Sequence, residues 1–78
     1  MIENIKLITY TKVVSVIANL EGEFDMEIVM RRMSGSYCSS DIINSFKKLV
    51  EIGFIREIPT PEGTVTQHRK FRRWGRYD

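Results

Sequence analysis

From residue 11 onward the apolar positions follow a helical period. Val13, Val14, Ile17 and Leu20 share one face. Thr9 or Thr11 is placed to cap the start of this helix, and Gly22 in "EGE" to stop it in a left-handed conformation. The ten residues before it, "MIENIKLITY", are rich in β-branched and aromatic types. They suit an extended arm or strand as well as the first turns of the helix, and periodicity does not separate the two.

A second helical pattern follows in "FDMEIVMRRM", where Met26, Val29, Met30 and Met33 fall on one stripe. Asp25 is the expected N-cap. Phe24 before it and Val29 inside the helix have the spacing of a hydrophobic staple. Arg31 and Arg32 sit toward the electronegative C-terminal end. A methionine stripe at this spacing belongs to a core rather than to a cofactor site.

The turn "SGSYCSS" breaks the period, and Ser39 or Ser40 is expected to cap a third helix. Ile42, Phe46, Leu49 and Val50 form its apolar side. Ser40, Asn44, Lys47 and Lys48 form its polar side. Gly53 stands at C′, so that Phe54 folds back onto Leu49. "FIREI" then reads as a strand, "PTPEGT" as a turn, and "VTQHRKFRRW" as a returning strand. Such a hairpin is not stable alone in water. It is expected to pack on the third helix through Phe54, Ile58 and Phe71.

With 78 residues the chain supports one domain, residues 1–78. Its divisions are an arm or helix start over residues 1–10, a three-helix core over 11–53, a hairpin over 54–73 and a tail over 74–78. A composition of 42% hydrophobic and 28% charged residues is that of a soluble globular protein. A single cysteine, Cys38, excludes an internal disulfide. With one histidine beside it, there is no zinc set. There is no signal-peptide pattern, and the apolar runs are far short of a membrane span, so a cytoplasmic location is expected. The net charge of +2 is unevenly spread. Residues 1–66 carry seven Lys/Arg against nine Asp/Glu, whereas residues 67–78 carry five against one. That basic end suggests an anionic partner.

The segment "FDMEIVMRRMSGSYCSSDIINSFKKLVEIGFIREI" and the hairpin "PTPEGTVTQHRKF" together resemble a winged helix-turn-helix domain. The likeness is to the small transcriptional regulators of bacteria, archaea, phages and viruses. Leu49, Gly53, Phe54 and Ile55 occupy the places of the Leu-x-x-x-Gly-aliphatic run that closes the recognition helix and opens the wing. The resemblance spans residues 11–72. It implies an α+β, mostly helical fold, with three helices followed by a two-stranded β-hairpin wing. Two features depart from the pattern. The turn "SGSYCSS" is long, and the third helix offers only Lys47 and Lys48 as cations, with Asp41 near its start.

The resemblance also implies sequence-specific binding of double-stranded DNA, with the third helix in the major groove. Asn44 would pair with adenine and Lys47 with guanine acceptors, beside Ser40 and Lys48. Ser39 would cap the helix or hold a phosphate, and Tyr37 would bond a phosphate or cover the core. Gln67, His68, Arg69, Lys70, Arg72 and Arg73 would straddle the backbone or enter a minor groove. A module this small gains strong specific binding by pairing, so a homodimer is expected. The apolar Ile2, Ile5, Leu7 and Ile8 are candidates for its contact, or for packing on the first helix.

Two other functions fit the same sequence. One is a protein-interaction adaptor. The other is RNA or single-stranded DNA binding through "RKFRRWGRY", where Trp74 and Tyr77 interleave with cations. Enzymatic activity is not expected. Cys38 and His68 are the only nucleophile–base pair of their kind, and the sequence has no glycine-rich phosphate loop. No cofactor, metal, ligand pocket or small-molecule substrate is indicated.

Overall fold

The computed structural model describes residues 7–33, 35 and 37–74. Helix α1 (Leu7–Ala18) comes first, then β1 (Glu23–Phe24), α2 (Met26–Arg32), α3 (Ser39–Glu51) and β2 (Ile55–Glu57). A short 3-10 turn, η1 (Thr66–His68), precedes the last strand, β3 (Phe71–Arg73). The fold is α+β, with three helices against a three-stranded antiparallel sheet of order β1-β3-β2.

Helix α1 begins one turn earlier than its apolar stripe. Thr9 is only 2% exposed and shares the inward face with Val13 and Ile17. It is a core position, not the expected cap, and Thr11 also lies within the helix. Leu7 and Ile8 are 77% and 71% exposed. A polar residue faces in and apolar residues face out, so the hydrophobic pattern hides the first turn. Ile2 and Ile5 lie outside the described residues. After the helix, Gly22 takes φ +73°, the left-handed conformation expected of a stop.

That turn leads into an element absent from the two-stranded expectation. Residues Glu23 and Phe24 pair with β3, with Glu23 opposite Arg72 and Phe24 opposite Phe71. This makes β3 the central strand. On its other side, Ile55, Arg56 and Glu57 face Arg73, Arg72 and Phe71. The returning strand is shorter than the pattern "VTQHRKFRRW" suggests, because η1 takes up its first part.

Asp25 caps α2 as expected: its side chain accepts from the Ile28 N–H at 2.9 Å. The expected cap of α3 is displaced. Cys38, not Ser39 or Ser40, occupies the N-cap position, and its side chain makes no capping bond. At the other end, the Phe54 N–H donates to the Leu49 carbonyl at 2.9 Å and the Gly53 N–H to Val50 at 3.1 Å. Gly53 has φ +85°. These two bonds form a Schellman end, which turns the chain directly into β2.

The core joins the buried faces of all three helices to the inner face of the sheet. At its centre Phe24, Phe46 and Phe71 bring one aromatic each from β1, α3 and β3. Their ring centroids are 6.3 Å apart for Phe24–Phe46, 6.4 Å for Phe24–Phe71 and 5.0 Å for Phe46–Phe71. The sheet packs through Phe24, Ile55 and Phe71, with Phe54 packed against the core from its edge. Phe54 and Ile58, expected in that role, are only half-buried, since the Schellman turn directs Ile55 inward. Val50, expected on the apolar side of α3, is exposed at the helix edge.

Candidate nucleic-acid interface

Helix α3 buries Ile42, Ser45, Phe46 and Leu49. The opposite side of its 3.6-residue period is therefore outward. It presents Ser40 and Lys47, with Asn44 half-buried between them. Lys48 is exposed alongside, 3.9 Å from the Glu51 carboxylate. Asp41, in the first turn, sets a second acid against the two lysines. The helix surface is thus polar but nearly balanced in charge.

One flank of α3 faces the loop that follows β2. Ile43, Lys47 and Val50 line a groove of about 270 Å³, with Thr66, Arg69 and Glu57 across from them. Met26, Phe46 and Phe71 complete the apolar lining. No such cavity was expected from the sequence. It arises because Ile43 and Val50 sit at the edge of the buried stripe, where the loop does not cover them. Lys47 and Arg69, a cation from each wall, share this cleft. Arg69 is held by Glu57 at 3.3 Å, which orients its guanidinium and offsets part of its charge.

The same loop is tied to α2. His68 lies in η1 with its Nδ1 3.4 Å from a Glu27 oxygen and 3.9 Å from an Asp25 oxygen. Glu27 in turn pairs with Arg31 at 3.2 Å. Gln67 is exposed on η1. The loop therefore lies against the start of α2 rather than extending freely from the hairpin.

Among the described residues, the remaining cations of the basic end point elsewhere. Successive residues of a strand face opposite sides. Phe71 packs on Phe46 of α3, so Arg72 faces away from α3. Lys70 is exposed and shares the parity of Arg72; its carbonyl accepts from the Ile58 N–H at 2.9 Å. Arg73 donates to the Ala18 carbonyl at 3.2 Å, closing the C-terminal end of α1. Trp74 continues the ladder, donating its N–H to Phe54, and carries the Arg56 guanidinium 4.9 Å over its ring. Arg56 was not singled out in the sequence. Its place in the alternation of "FIREI", next to inward Ile55, was the available signal.

In the turn before α3, Tyr37 is half-buried against the core, while Ser39 is exposed. The Cys38 sulfur lies 3.0 Å from the Ser40 hydroxyl. That bond, together with the Ser40 and Asp41 backbone N–H groups, holds the exposed thiol below its usual range. Among the described residues, no three His, Cys, Asp or Glu side chains group to hold a metal ion. No described helix is long and apolar enough to cross a membrane. Comparison with protein-family models, with curated proteins and with solved structures gives no match to this chain.

Proposed function

We propose that the chain is a winged helix-turn-helix protein that binds double-stranded DNA sequence-specifically and regulates transcription. The observation that carries this reading is the shared cleft of Lys47 and Arg69, which sets a cation of α3 and a cation of the hairpin loop on one side of the molecule. The order of elements and the sheet order β1-β3-β2 support it, because three helices followed by an antiparallel hairpin is the layout that a winged helix would have.

In this reading α3 enters the major groove. Ser40, Asn44 and Lys47 lie along its outward side, and Asn44 supplies the donor–acceptor pair that matches adenine. Arg69 and Lys48 contact the backbone on either flank and fix the register without reading bases. Ser39, exposed at the start of the helix, would meet a phosphate, and Tyr37, half-buried against the core, would reach one only through its hydroxyl. Gln67 and His68 follow the loop toward α2.

The exposed Leu7 and Ile8 favour a second reading. With Thr11, Lys12 and Ser15 they line a shallow depression on α1. That face suits a homodimer contact, which would place two copies of α3 on two half-sites. It would equally serve an adaptor that binds protein and no DNA.

Selection from a random duplex pool separates these. A regulator enriches a defined sequence, and a palindromic one if it dimerises through α1. Asn44→Ala should then shift the enriched bases, while Lys47→Ala lowers retention of the pool. An adaptor enriches nothing.

A further inference from the structure

Among the described residues, three cations are turned away from α3, on the outward face of the sheet. Arg56 and Arg72 stand directly opposite each other on β2 and β3, and both are exposed. Lys70 shares their parity, and Glu23, across from Arg72 on β1, is the one acid in the row. Like charges directly opposite on neighbouring strands destabilise a sheet. Neither arginine makes an ion pair among the described residues. Glu23 offsets part of this repulsion at Arg72, and a polyanion would relieve what is left.

The geometry also selects the kind of polyanion contact. The Arg56 guanidinium stacks over Trp74. A stacked guanidinium keeps its N–H donors in the plane of the group, free to fork onto a phosphate. The indole face it covers is closed to a base, and the ring is half-buried. Phosphate contact is favoured over the base stacking that would hold a single strand.

We propose that the outward face of the sheet, through Arg56 and Arg72, is a second binding site for a phosphodiester backbone, so that one chain bridges two duplexes. The proposal rests on the DNA reading of α3 for the first duplex. Because Phe71 faces α3 and Arg72 faces away, a duplex at α3 leaves this site open.

The test fixes one duplex on beads and offers a second, labelled duplex in solution, with the full chain added. The wild type should retain the labelled duplex. Arg56→Ala with Arg72→Ala should lower that retention by about tenfold, as expected for two lost phosphate contacts at moderate salt. The same double variant should shift a single duplex within about twofold of wild type, since that site is α3. Arg56→Lys with Arg72→Lys should keep most of the bridging. Light scattering should give the Ala variant the oligomeric state of the wild type, which assigns the loss to the sheet face rather than to a lost dimer. Bridging by the Ala variant at the wild-type level overturns the proposal. So does a wild type that shifts one duplex and retains no second, which leaves the α3 reading standing. No shift of any duplex overturns both. Displacement of the second duplex by polyglutamate as readily as by unlabelled duplex overturns the nucleic-acid assignment of the site in favour of an acidic protein.

Discussion

Phe46 of α3 and Phe71 of β3 meet edge to face, with ring centroids 5.0 Å apart and planes at 64°. This contact locks the central strand to the candidate recognition helix. It also sets the inward face of β3, so that Arg72 turns away from α3. Removing either ring should cost about 3–5 kcal/mol. A domain of this length has only about 4–12 kcal/mol in all. Phe71→Ala is therefore expected to lose most or all of its cooperative urea transition, while Phe71→Leu keeps one at a lower midpoint.

Gly53 is held at φ +85°, with nothing within 4 Å of the place a Cβ would take. The cost of a side chain there is conformational and not steric. Gly53→Ala should destabilise by about 1–2 kcal/mol, the left-handed penalty for an L-residue. Gly53→Asn should cost less, because asparagine tolerates this conformation. Urea midpoints at constant slope measure both.

Asp25 caps α2 through the Ile28 N–H and also lies 3.9 Å from His68. Asp25→Ala should cost about 1 kcal/mol, whereas Asp25→Asn keeps the cap and stays within a few tenths of wild type at neutral pH. If Asp25→Asn falls as far as Asp25→Ala in thermal unfolding, the charge facing His68 matters more than the cap.

Cys38 is exposed, and its thiol is held below the usual range first by the Ser40 hydroxyl and then by the Ser40 and Asp41 N–H groups. The sign follows directly: a lowered pKa means that thiolate persists to lower pH than in a free cysteine. Iodoacetamide should therefore modify the folded protein at pH values where an unstructured cysteine peptide reacts slowly. Ser40→Ala should move the pH–rate curve upward, toward the peptide's. A curve unchanged by that substitution would assign the effect to the backbone alone.

The end of α3 was the most legible part of the sequence. Apolar period, glycine and strand residues all mark the same boundary, and Gly53, Ile55 and Asp25 took the conformations or bonds their types favour. The start of α1 was not legible, because Thr9 faces in and Leu7 faces out, which inverts the pattern that periodicity detects. Strand β1 has only Glu23 and Phe24, and its partners are Arg72 and Phe71 at the far end of the chain. No local signal announces such a pairing. The candidate site was legible as a set of residue types and not as a surface. Lys47 and Arg69 share a cleft, but Arg72 and Arg73, which belong to the same basic run as Arg69, are sent to the sheet's outward face and to the end of α1. Strand parity and a carbonyl of α1 decide that, and both depend on where β3 packs.

In the proposed reading, Lys47 and Arg69 meet one duplex from the same side of the molecule. The direct measurement is the salt dependence of duplex affinity for the wild type and for Lys47→Ala with Arg69→Ala. Each lost phosphate contact should flatten the plot of log affinity against log salt by about 0.9; Arg69 is the phosphate contact of the pair and Lys47 the base contact, so the double variant should be shallower by about 0.9 and weaker at every salt concentration. A double variant with the wild-type slope, or a wild type that binds no duplex even at low salt, would contradict the account.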